Sequence, residues 1–162
     1  MGYTHYWEFK ENIAPKDFED GKVKFARAAE LILKAYIKVT EMGIEIVDGM
    51  GEGGEPTISD SEVYFNGKGD ESCETFAIQS NDGEWNCCKT ARRPYDLLVC
   101  VSLLAFKEAF GDDFSYKSDG ITKEAYENRE NNEYWKQIGF VPEGPEEEWM
   151  EAYKVWEEIK TA

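Results

Sequence analysis

What the chain lacks narrows its class first. Its 162 residues hold one histidine, four cysteines and five prolines, and no apolar run approaches the ~20 residues that cross a bilayer. A lone histidine rules out a metal site built on two imidazoles. It also leaves His5 as the sole base for any serine-type triad, although histidine is the side chain that titrates near neutral pH. Cys73, Cys87, Cys88 and Cys100 do not fall in C-x-x-C spacing, so zinc is poorly matched and free thiols are expected. The opening MGYTHYWEFK has no basic segment followed by an apolar one. Position 6, where myristoylation wants Ser or Thr, is Tyr6. No leader or membrane partner is expected, and the cytoplasm is the expected location. Cations are scarce, 18 against 34 acidic residues, a net charge of −16. Such a surface repels phosphate backbones, which argues against direct binding of DNA or RNA over a broad face. Solubility is its plain consequence. Imitation of a nucleic acid in the basic groove of another protein is the sharper one.

What is present supports a packed α+β domain. Hydrophobic residues make up 41% and aromatic residues 14%, enough for a core without staples. Strands are expected at Tyr3 to Phe9, Ile44 to Val47, Glu62 to Asn66, Glu74 to Gln79, Glu84 to Lys89 and Phe114 to Lys117. A loop should run from Lys10 to Gly21. Turn chemistry at 67–70 and 80–83 predicts an antiparallel meander. Phe25, Ala28, Ala29, Ile32, Tyr36 and Val39 repeat at helical spacing, which predicts a helix over 22–41 ended by Gly43. After Pro94, the stretch Leu97 to Phe110 is apolar nearly all round, the mark of a buried helix, and Gly111 stops it. Asp48 to Pro56 is glycine-rich without the Lys-Ser/Thr ending of a phosphate loop, so a flexible loop is expected. The reading is thus an antiparallel sheet of five to six strands packed on two long helices, residues 1–120. An acidic helical extension, 121–162, should dock on it through Trp149, Tyr153 and Trp156, with helices over 122–138 and 145–161.

The most informative segment is Cys87 to Asp96, which joins a strand to the buried helix. Lys89, Arg92 and Arg93 precede a helix start, where unpaired N–H groups favour an anion. Thr90 and Tyr95 add hydroxyls, and arginine matches phosphate or carboxylate in two parallel hydrogen bonds. The plainer reading pairs these cations with local acids such as Asp96. Asn66, Ser118 and Asp119 lie in turns at strand ends, where functional groups concentrate. Asp119 and Asp96 could orient ribose-like hydroxyls, and Tyr6, Trp7 or Tyr95 could stack on a base. No metal or cofactor signature is present.

The blocks MGYTHYW, FNG, ETF, CKTARRPYD and SDG, in that order over about positions 1 to 120, resemble a family of uncharacterised proteins of bacteriophages and bacteria. The resemblance implies a phage setting, hence the host cytoplasm, more than a chemistry. Its blocks carry His5, Asn66, Lys89, Thr90, Arg92, Tyr95, Asp96, Ser118 and Asp119. Three functions follow in order. The first is binding of a small anionic, nucleotide-like ligand, as a sponge for a host immune signal. The second is an acidic mimic that inhibits a basic host nuclease or CRISPR effector. The third is an enzyme on a nucleotide-like substrate with His5 as acid or base.

Overall fold

The computed structural model describes residues 2–10, 19–79 and 85–161. Its elements run β1 Thr4–Phe9, α1 Glu19–Glu41, β2 Thr57–Ile58, β3 Glu62–Phe65, β4 Phe76–Gln79, β5 Asn86–Lys89, α2 Asp96–Phe110, β6 Phe114–Ser118, α3 Lys123–Glu127, α4 Glu133–Ile138 and α5 Glu147–Lys160. The class is α+β, but the single sheet expected from the sequence is two sheets of three, ordered β5-β1-β6 and β2-β3-β4. All pairings are antiparallel. The meander ends after β4, because β5 crosses to β1, with His5 opposite Cys88. Trp7 of one sheet and Phe76 of the other, centroids 5.1 Å apart, close both inner faces over one core.

Period-two alternation explains β1, which buries His5, Trp7 and Phe9 and turns Thr4, Tyr6 and Glu8 outward. Helix α1 buries Phe25, Ala28, Ile32, Ala35 and Val39. It ends as expected at Gly43, where φ is +88° and Ile44 N–H returns to the Val39 carbonyl at 3.3 Å. Helix α2 is the central element: Leu98, Val99, Val101, Leu103, Ala105 and Phe106 are fully buried, and it packs on α1, α5 and β6. Gly111 stops it at φ +61°, its N–H on the Lys107 carbonyl. Helix α5 inserts Trp149, Ala152, Val155, Trp156 and Ile159 into the same core. No helix among the described residues is long and apolar enough to cross a membrane.

Four local expectations differ from the structure. Ile44 to Val47 is not a strand; only Val47 bridges to Asn66, while β2 at Thr57–Ile58 completes the second sheet. The helix over 122–138 breaks into α3, a 3-10 turn at Arg129–Asn131 and α4. Asn132 causes the second break by capping the Trp135 N–H with its own side chain at 2.9 Å. The glycine-rich loop is locally ordered: the Asp48 carboxylate accepts from Met50, Glu52, Gly53 and Gly54 N–H at 2.9–3.2 Å. Partial desolvation raises its pKa, but those four amides outweigh it and hold the carboxyl below its usual range. The segment expected as a loop to Gly21 is already helical from Glu19; residues 11–18 and the turn at 80–83 lie outside the described residues.

Gly67 tests this packing. A Cβ there would overlap the Glu71 carbonyl and press on the Tyr95 ring. Gly67→Ala should cost about 1–3 kcal/mol, read as a lowered urea midpoint. An unchanged midpoint would mean the close approach is not real.

Candidate functional site

The site is built around one buried carboxylate. Asp96 opens α2 at 2% exposure, and His5 faces it from β1 at 0%. His5 Nε2 donates to Asp96 Oδ1 at 2.6 Å, and the Thr90 hydroxyl donates to the same oxygen at 2.5 Å. One turn along α2, the Cys100 thiol donates to Oδ2 at 3.5 Å. A buried charge is tolerable only with such donors. Burial, then the Asp96 charge, pushes the Cys100 thiol well above its ordinary pKa, so it stays a protonated donor rather than a nucleophile. The His5, Asp96 and Cys100 donor atoms lie within 4.8 Å of one another. However, two ligands of a tetrahedral zinc sit about 3.3 Å apart. The 2.6 Å His5–Asp96 separation is a hydrogen bond.

Between β5 and α2 the chain makes a strained turn. Arg93 N–H bonds to the Thr90 carbonyl at 3.0 Å, and the two central residues, Ala91 and Arg92, have φ of 52° and 59°. This is the pattern of a type I′ turn without its glycines, at about 1–2 kcal/mol per residue. Its surroundings enforce it. Thr90 and Ala91 N–H both reach the Tyr3 carbonyl, at 3.0 and 3.3 Å. The Arg92 guanidinium lies 4.0 Å above the Tyr3 ring and bonds Glu148 at 2.6 Å, with Glu146 at 4.0 Å. The Glu148 hydrogen bond raises the Arg92 pKa. The first amides of α2 are spent on Arg93, Pro94 and Tyr95 carbonyls. The helix start is therefore occupied by the chain's own groups, with Asp96 as its anion.

The five sequence blocks meet here. Thr4 N–H donates to Asp119 Oδ2 at 3.0 Å, and Asp119 N–H returns to the Thr4 carbonyl at 2.9 Å. Lys89 N–H donates to Glu74 Oε1 at 2.7 Å, and the Tyr95 hydroxyl donates to the Glu74 carbonyl at 2.6 Å. Asn66 is saturated: it donates to Gly49 and Cys73 carbonyls and accepts from Gly67 and Cys73 N–H. Ser118 accepts from the Trp149 indole and from Gly120 N–H, each at 3.0 Å. Among the described residues four buried side-chain atoms have no partner: Tyr3 Oη, His5 Nδ1, Ser102 Oγ and Glu148 Oε2. Burial above all, helped by Cys100 and Asp96, raises the Tyr3 pKa, so the phenol remains neutral.

The candidate residues thus separate by facing. His5, Asn66, Thr90, Tyr95 and Asp96 are buried; His5 and Thr90 bond Asp96, whereas Asn66 and Tyr95 bond backbone groups outside that network. Arg92 is tied to Glu148, and Ser118 is half-buried. Tyr6, Lys89 and Asp119 lie on the outer face of β5-β1-β6, and Arg93 is exposed beside it in the turn. On that face Lys89 stands opposite Thr4 and Lys117 opposite Tyr6. Trp85, 60% exposed, stacks on Tyr6 at 5.8 Å and 27°. Sequence reasoning missed Trp85 and Lys117; the alternation of β6 and the aromatic before β5 were the available signals. Trp7, offered as a stacking group, is core. A cleft of about 890 Å³, which shares Lys117 and Asp119 with that face, opens along β6 between Tyr116–Thr122 and the α3–α4 segment.

Comparison with family models, curated proteins and solved structures gives no match for the chain.

Removing one donor from Asp96 should be costly. Thr90→Val should lose about 1–3 kcal/mol in urea denaturation, whereas Ala91→Gly, which relieves the positive φ, should hold or gain about 1 kcal/mol. The opposite order would mean the turn is not strained or the hydroxyl not bonded.

Proposed function

We propose that the protein binds a small anionic, nucleotide-like ligand on the outer face of β5-β1-β6. The carrying observation is the stacked Tyr6–Trp85 pair with Lys89 and Lys117 in adjacent strands. Neither lysine side chain has an ion-pair partner among the described residues, in a chain of charge −16. A base has a π-face for the aromatic pair, and a phosphate has two ammonium groups, with the exposed Arg93 nearby. Asp119 sits beside Thr4 in position to accept from ribose hydroxyls. The buried Asp96 network holds β1, the turn and α2 in place beneath this face, so its role is support. In the phage setting that the resemblance implies, such a protein acts by sequestering a host immune signal.

His5 is sealed from solvent, which takes from the enzyme reading the histidine it named as acid or base. The acidic-mimic reading has its own support, since 11 glutamates face five cations between residues 122 and 161.

Titration calorimetry against a panel of mononucleotides and cyclic dinucleotides tests the ligand reading. At least one member should bind and quench Trp85 fluorescence, and Lys89→Ala with Lys117→Ala should weaken it about tenfold or more. Binding unaffected by both substitutions, or no binding across the panel, would remove this reading.

A further inference from the structure

We infer that the open edge of β6 takes up an extended peptide from a partner protein, which lies beside it as an added strand of the β5-β1-β6 sheet. Strand β6 ends that sheet, and its register shows which groups remain open. Asp119 N–H donates to the Thr4 carbonyl at 2.9 Å, and Lys10 N–H donates to the Asp113 carbonyl at 2.8 Å. Between them the pairing runs from His5↔Ser118 to Phe9↔Phe114. An antiparallel ladder alternates hydrogen-bonded and non-hydrogen-bonded pairs. Ser115 and Lys117 therefore bond β1, while Phe114, Tyr116 and Ser118 turn their main-chain groups outward. The Lys107 ammonium takes the Phe114 carbonyl at 3.2 Å. The N–H and C=O of Tyr116 and of Ser118 have no hydrogen-bond partner among the described residues.

An open edge is a template for another strand unless something guards or covers it. The side chains of Tyr116 and Ser118 turn inward to Trp149, through ring stacking at 5.7 Å and a bond from the indole at 3.0 Å, so neither screens its own backbone. Helices α3 and α4 face the edge across the cleft of about 890 Å³ rather than packing on it. A groove between an edge strand and a helical wall suits strand addition, in which main-chain bonds hold the peptide and pockets read alternate side chains. The far wall offers both. Trp135 and Phe140, centroids 5.4 Å apart, accept an aromatic or aliphatic side chain. Asn128 and Asn132 each spend one end of the amide on local backbone, Nδ2 to the Glu124 carbonyl and Oδ1 from Trp135 N–H. Their other ends are left for the second edge of the peptide. With walls on both sides, the cleft takes a single strand rather than the sheet of a second copy. Recognition is by main-chain groups and not by charge, so it stands apart from the nucleotide reading, which uses the side chains of Tyr6, Trp85, Lys89 and Lys117.

The probe is a displayed library of random peptides of roughly ten residues, selected on the full chain. Selection should enrich peptides with apolar side chains at alternate positions. In the free protein the Tyr116 and Ser118 amides should exchange with solvent about tenfold or more faster than those of Ser115 and Lys117, and a bound peptide should remove that difference. Methylating the peptide N–H groups one at a time should weaken binding about tenfold at every second residue and little between. Trp135→Ala/Phe140→Ala should lose about tenfold in affinity, with circular dichroism verifying the fold. The methylation scan alters only the peptide, so it decides the matter even if that variant unfolds. No enriched peptide, or a scan without alternation, would overturn the inference. So would Tyr116 and Ser118 amides already protected in the free protein, which would mean that the chain itself or a second copy covers the edge.

Discussion

The Asp96 carboxylate is the constraint on which the rest of this structure depends. A charge at 2% exposure is costly to bury unless it is fully engaged. Its donors come from three places: His5 on β1, Thr90 in the strained turn and Cys100 on α2. Satisfying that one group therefore fixes the register of β1 against α2 and closes the turn between β5 and α2. The same demand helps hold Ala91 and Arg92 at positive φ, a conformation that persists only where the surroundings over-determine it.

From that anchor the charge organisation follows. Arg92 is drawn over Tyr3 and onto Glu148, which pins the start of α5 to the turn. The cations near the turn that are exposed and without an ion-pair partner among the described residues, Lys89 and Arg93, lie on or beside the outer sheet face, with Lys117 across β1. Three carboxylates, Asp119, Glu124 and Glu146, line the cleft along β6. A strongly negative chain thus presents one sheet face with lysines beside a stacked aromatic pair.

Much of the fold was legible because it rests on local signals. Gly43 and Gly111 stop α1 and α2 at positive φ as their positions suggest. The all-apolar run from Leu97 identifies α2 as the central helix. The division into two sheets was not legible, since β5 could continue the meander from β4 on pattern alone; its pairing with β1 is a non-local choice. Asn132 and Asp48 overrode the helix and loop readings through side-chain bonds to nearby backbone. At the site, the polar blocks were readable as a group, but their facing was not. His5 and Thr90 share one network with Asp96 only because β1 and β5 pair at His5↔Cys88. A register one residue away would turn His5 to solvent. Trp85 and Lys117 gain their meaning from cross-strand neighbours, which the linear sequence does not display.

The most direct measurement is nitrogen-edited NMR of the labelled protein during titration with nucleotides, following the backbone amides and the Trp85 indole. The account predicts shifts concentrated at Tyr6, Trp85, Lys89, Lys117 and Asp119. The buried amides of His5 and Asp96 should move little, because the network beneath is already formed. Shifts centred elsewhere, or none at saturating nucleotide, would contradict the assignment of this sheet face as a binding surface.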